Sequence, residues 1–140
     1  MGAQSESNAM AVLQTRLATI TTVPVSQIAW PNTKFVPTLG TPFIIAYHLP
    51  AEPFQASLGT FGLNYIAGIF QLSVYVPKDT GRGILNPIVA EIKEKFKRGT
   101  ILQNSEISVK CRKVWESTHQ PSADWYAVPI NVNWDSYVEN

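Results

Sequence analysis

The segment Ile66–Thr100 constrains this chain more than any other, because its apolar spacing changes from a strand period to a helix period across one turn. In Phe70-Gln-Leu-Ser-Val-Tyr-Val, the residues Phe70, Leu72, Val74 and Val76 share one face of an extended backbone, and Gln71, Ser73 and Tyr75 share the other. Pro77 lacks the donor that would continue a ladder, and Gly81-Arg-Gly turns the chain. From Ile84 to Lys97 the spacing predicts a helix, with Leu85, Ile88, Val89, Ile92 and Phe96 along one stripe. Pro87 belongs in a first turn, so regular helix is expected from near Asn86, with Asn86 as its cap. Gly99 stands where a helix end favours a left-handed residue, and Lys95, Lys97 and Arg98 suit the negative end of the dipole. Glu91 and Lys95 are spaced for an i, i+4 pair on the solvent side.

The other elements follow from the same two periods. Met10, Val12, Leu13, Leu17 and Ile20 predict a helix over Met10–Thr21, frayed by the β-branched Thr21, Thr22 and Val23. Trp30 precedes Pro31 and must be extended, so Ile28–Trp30 reads as a short edge strand or as coil held by the buried indole. Phe43–Leu49 reads as a strand with Phe43, Ile45, Tyr47 and Leu49 on one face, stopped by Pro50 and Pro53. Further strands are expected over Tyr65–Val76, over Glu106–Trp115 with Ile107, Val109, Cys111 and Val114 inward, and over Trp125–Trp134. In the last of these Tyr126, Val128, Ile130, Val132 and Trp134 share a face. Together they predict an α+β fold: a single mixed, mostly antiparallel β-sheet with two helices packed on one face. The connection through the second helix is long enough for a crossover, which would make one strand pair parallel.

At 140 residues the chain suits one domain, expected over residues 10–140. Residues 1–9 are small and polar, and Ser7-Asn-Ala before Met10 resembles the remnant of an expression tag. The expectation is a disordered leader and a native start at Met10. A formal charge of +1 supplies no bulk attraction to DNA or to an anionic membrane. The single cysteine, Cys111, excludes an internal disulfide and reads as a small core residue. No run approaches the roughly 18 apolar residues of a membrane span, and no basic flank leads into an apolar secretory signal.

Catalytic patterns fail on spacing. Gly81-Arg-Gly beside Lys78 has neither a following Gly-Lys-Ser/Thr nor a third glycine in register, so it reads as a turn entering a helix. His48 and His119 are far apart and stand in no metal spacing, and no serine sits in a nucleophile elbow. Trp30, Trp125 and Trp134 fall in core-like contexts, which leaves Trp115 as the exposed one. The expectation is no enzyme, no cofactor and no metal. Phe54-Gln-Ala-Ser-Leu-Gly-Thr-Phe-Gly-Leu-Asn, in contrast, is too apolar for a loop in solvent. It is read either as a β-arm covered by another subunit or as a segment folded back on its own sheet. Candidate subunit or partner contacts are therefore Phe54, Leu58 and Phe61 in this arm, and Lys78, Asp79 and Arg82 in the loop before the second helix.

In their order along the chain, Ile28-Ala-Trp-Pro-Asn, Gly40-Thr-Pro-Phe, Gly68-Ile-Phe-Gln-Leu-Ser-Val-Tyr-Val-Pro, Gly81-Arg-Gly, Phe96-Lys-Arg-Gly-Thr and Trp125-Tyr-Ala-Val-Pro-Ile resemble the tail terminator, or tail completion, proteins of long-tailed bacteriophages. The resemblance runs from about Met10 to Trp134. It implies a structural phage or prophage protein that assembles as a homo-oligomeric ring, a hexamer, and is monomeric in isolation until it meets its template. Such a ring caps the tail tube, ends tube polymerisation and forms the surface for head–tail joining. The implied partners are the tail tube protein and a head–tail connector protein, with DNA only in transit through the lumen and no membrane. The implied locations are the host cytoplasm during assembly and the virion tail. A different neck or connector completion protein, or a small cytoplasmic ligand-binding domain, is the alternative reading of the same residues.

Overall fold

The computed structural model describes residues 2–31, 34–37, 40–50, 54–55, 63–78, 82–104, 107–118, 120–121 and 125–139. In chain order the elements are α1 (Gly2–Leu17), β1 (Ile28–Ala29), β2 (Phe43–Pro50), β3 (Phe54–Gln55), β4 (Leu63–Pro77), α2 (Leu85–Lys95), β5 (Ile101–Gln103), β6 (Ser108–Glu116), β7 (Gln120–Pro121) and β8 (Trp125–Glu139). They form an α+β fold on one mixed sheet in the order β1-β2-β4-β8-β6-β5, with β3 pairing β4 and β7 pairing β8 beside that path.

The sheet is built around β4 and β8, antiparallel over their full lengths from Leu63 opposite Glu139 to Pro77 opposite Trp125. Alternation decides which side of each strand is apolar. Phe70, Leu72, Val74 and Val76 of β4 and Val128, Ile130, Val132 and Trp134 of β8 are all fully buried, as their spacing predicts. They join one core cluster with Leu13 and Leu17 of α1 and Leu85, Ile88, Val89 and Ile92 of α2. Phe96, just past α2, meets Phe70 edge-on at 5.9 Å between ring centres. Side chains buried to this degree contribute about 1.5–3 kcal/mol each relative to exposure.

Several boundaries and partners differ from expectation. The parallel pair is β1 with β2, Ile28 opposite Ile44, and not a product of the α2 crossover. That connection carries the chain from β4 to β5, and the two lie three places apart in the sheet. Helix α1 starts at Gly2, so Gly2–Ala9, expected to be disordered, is helical, and Ala9 is fully buried. No glycine or proline interrupts Ala3–Leu17, and lengthening a helix that is already nucleated costs far less than starting one. Helix α2 keeps Pro87 in its first turn but is not capped by Asn86. The amide oxygen of Asn86 instead accepts from Arg82 Nε at 3.0 Å, and its backbone N–H donates to the Arg82 carbonyl at 2.8 Å. Gly99 has the anticipated positive φ of 89°. Its N–H donates to the Cys111 carbonyl at 2.8 Å, which starts the pairing of β5 and β6.

Strand β6 carries an irregularity between Cys111 and Lys113. Val109 and Cys111 point into the core, and the shift brings Val114 back toward it despite the odd spacing. Glu91 does not pair with Lys95. Its carboxylate accepts from the backbone N–H and the hydroxyl of both Thr21 and Thr22, at 2.8–3.0 Å, across some 70 residues of sequence. The end of α1 is tied to α2 a second time by Arg16 Nε, which donates to the Lys95 carbonyl at 2.9 Å.

Candidate interaction face

The outward positions of the sheet follow from the same register. On β2 they are Phe43, Ile45, Tyr47 and Leu49, which share a face as expected, but the face turned away from the core cluster. Ile44 and Ala46 are the core residues of that strand. Phe43 is still buried, stacked on Tyr75 at 4.6 Å and edge-on to Trp125 at 4.8 Å, with Phe35 at 5.5 Å. Tyr47 and Leu49, farther along, are 42% and 50% exposed. This aromatic end holds a groove of about 670 Å³ lined by Trp30, Phe35, Phe43, Tyr47, Leu49 and Trp125 among others. Its described lining offers no carboxylate, cysteine, lysine or arginine to work with His48.

The centre of the outward side is polar. Gln71 Nε2 donates to Asn131 Oδ1 at 2.9 Å, and Asn131 Nδ2 donates to Ser117 Oγ at 2.6 Å, so the buried amide of Asn131 is satisfied. Toward β6 the side becomes ionic. Arg112 Nε donates to both oxygens of Asp135, at 2.8 and 2.9 Å, and the Tyr65 hydroxyl donates to Asp135 Oδ2 at 2.9 Å. Burial, with the Asp135 hydrogen bond next, pushes the Tyr65 phenol above its ordinary value. The Asp135 hydrogen bond likewise raises the Arg112 guanidinium.

None of this assembles nucleophile, acid and base. Among the described residues no three His, Cys, Asp or Glu side chains gather as a metal site. Cys111 is buried and desolvation pushes its thiol up to about 11, so it is a core residue and not a nucleophile. Among the described residues no helix is long and apolar enough to cross a membrane.

The sequence-predicted contact residues fall in three groups. Phe54 lies in the two-residue β3, whose partners on β4 are Tyr65 and Asn64. Leu58, Phe61 and Asp79 lie outside the described residues. Lys78 is exposed at the end of β4. Arg82 is exposed but engaged: its Nη2 meets Glu116 Oε1 at 3.1 Å, and Glu116 Oε2 accepts from Lys93 Nζ at 2.9 Å. The Lys93 hydrogen bond, ahead of that from Arg82, holds the Glu116 carboxyl below its usual range.

Sequence reasoning missed the Arg112–Asp135–Tyr65 group because it ended the last strand at Trp134. The signal was present in Asn131-Val-Asn-Trp-Asp-Ser-Tyr, where polar residues continue at every second position up to Tyr137.

Comparison with known proteins points one way. A family model described as phage tail terminator protein matches residues 8–134. One solved structure superposes with a TM-score of 0.74 over 94% of this chain and 95% of its own at 23% identity, a likeness of fold. No curated protein matches.

Proposed function

We propose, from the fact that this chain belongs to the phage tail terminator family, that it closes as a homo-oligomeric ring, a hexamer, on the end of a completed tail tube. It is a structural phage protein. The ring ends tube polymerisation and presents the surface on which a head–tail connector docks. A heterologous ring does this by shape: one side matches the last tube ring, and the other accepts no further tube subunit. In this reading both helices cover the same side of the sheet, which leaves the outward side of β2, β4, β8 and β6 for contacts. The protein works without catalysis, is monomeric until the tube templates it, assembles in the host cytoplasm and ends in the virion tail. DNA crosses the lumen only in transit.

The family match over residues 8–134 carries this reading. A groove lined mostly by aromatic and aliphatic side chains supports it. Phe54, Leu58, Phe61, Lys78, Asp79 and Arg82 are its proposed contact residues. Phe61→Asp is expected to weaken ring formation on purified tail tubes, read by co-sedimentation with the tubes, while the far-ultraviolet circular dichroism stays unchanged. Unaltered co-sedimentation would remove the arm from the interface. The decisive measurement is electron microscopy of particles assembled without the protein, where overlong tails are expected. Tails of normal length without heads would move the protein to the connector side, and normal infectious particles would end the proposal.

A further inference from the structure

We infer that the outward side of β6, with the end of β8, is a docking surface for an acidic protein segment. Lys110, Arg112 and Lys113 stand there together, all exposed. A regular strand turns only every second residue outward. Alternation places Arg112 on the Asp135 side with Lys110, and the irregularity between Cys111 and Lys113 brings Lys113 to that side as well, a cation that strict alternation would have turned to the other face.

Three cations of the α2 region are paired with carboxylates. Arg82 and Lys93 share Glu116, and Lys97 meets Glu94 at 3.0 Å. Asp135, opposite Lys110 on this side, is only 6% exposed and already committed to Arg112 Nε and the Tyr65 hydroxyl. Among the described residues neither Lys110 nor Lys113 meets a carboxylate at ion-pair distance. The surface therefore keeps a positive field, and Asp135 fixes where the Arg112 guanidinium points. Aromatic side chains border it. Tyr137 is 55% exposed, Tyr65 stands edge-on to it at 5.1 Å, and Lys113 Nζ lies 5.2 Å from the Trp115 ring centre.

Numbers separate a protein partner from a nucleic acid. Three cations on duplex DNA would release few counterions, with a logarithmic salt slope of only about −2.7, and a net charge of +1 adds no wider attraction. Tyrosine, tryptophan and a pre-oriented arginine are, in contrast, the side chains that anchor protein interfaces. A strand or loop bearing a few carboxylates would meet Lys110, Arg112 and Lys113 and lay its apolar parts on Tyr137 and Trp115. This inference stands on the charge pattern of β6 and survives if the ring reading fails.

The test is a ¹⁵N–¹H titration of the full chain at low salt with three probes: a synthetic Asp/Glu-rich peptide containing tyrosine, its Asn/Gln counterpart, and a random-sequence DNA duplex. The acidic peptide is expected to shift amides of Lys110–Trp115 and Tyr137, and the neutral peptide to leave them in place. K110E/K113E is expected to weaken acidic-peptide binding roughly tenfold while keeping its amide dispersion, because both side chains are exposed. Tighter binding of the duplex to the same residues would make this a nucleic-acid surface and overturn the inference. So would an acidic peptide that shifts nothing, or that shifts residues elsewhere.

Discussion

Trp134→Ala is expected to cost about 3–5 kcal/mol of folding stability, a loss of roughly 10 °C or more in Tm for a domain of this size. Trp134 is fully buried on the longest pairing of the sheet, opposite Gly68 on β4 and Cys111 on β6. Gly68 supplies no side chain there, so the indole fills the position alone, with the His48 ring stacked 5.6 Å away. Removing it leaves a cavity that two paired strands cannot close. Trp134→Phe separates volume from polarity. The indole Nε1 is buried without a hydrogen-bond partner, so phenylalanine loses some packing but also removes an unsatisfied donor that costs about 1–3 kcal/mol. The expected net change for Trp134→Phe is within about 1 kcal/mol. Urea denaturation of both variants checks this, and a loss below about 1 kcal/mol for Trp134→Ala would mean that the site collapses freely.

Glu91→Ala is expected to cost about 2 kcal/mol near neutral pH, because four donors lose their common acceptor and two of them are backbone N–H groups in the turn after α1. The effect is pH-dependent, and its sign follows from two opposed causes. Burial at the junction raises the Glu91 pKa, while the hydrogen bonds from Thr22 and Thr21 together outweigh it and hold the folded value below the usual 4.5. As pH falls, the unfolded chain therefore binds this proton first. The stability contributed by Glu91 is complete above about 4.5 and disappears as pH drops through the lower folded value. Glu116 acts in the same direction through Lys93 and Arg82. Wild type and Glu91→Ala should thus differ near neutrality and converge in acid. Parallel unfolding curves with a constant offset at every pH would place the effect in packing instead of charge.

These residues also show where sequence reading reaches and where it stops. The core sides of β4, β6 and β8 and the stripe of α2 were legible, since each has apolar residues at one period and polar residues between them. Cys111 and Trp134 were placed in the core on that ground, and both are fully buried. Strand β2 was not legible in the same way. Phe43-Ile-Ile-Ala-Tyr-His-Leu is apolar at odd and even positions alike, so alternation could not choose between them. Strand β5 was missed because Ile101–Gln103 is too short to show a period and is held by its pairing with Ser108–Lys110. The pairing of Glu91 with Lys95 was the local solution, and two threonines some 70 residues away displaced it by offering backbone donors that otherwise lacked a partner.

What the amino-acid order determined by itself is therefore periodic and local: which residues extend, which coil, and which side of a clearly alternating strand is apolar. The tertiary structure alone decided which side of β2, apolar at odd and even positions, faces the core, and which carboxylate holds the turn after α1. It also decided that Lys110, Arg112 and Lys113 share a side with Asp135, which is already committed to Arg112 and Tyr65. The reason is physical. Period depends on the backbone's own geometry, whereas facing, pairing and neutralisation depend on which distant groups the folded sheet brings within a hydrogen bond's length.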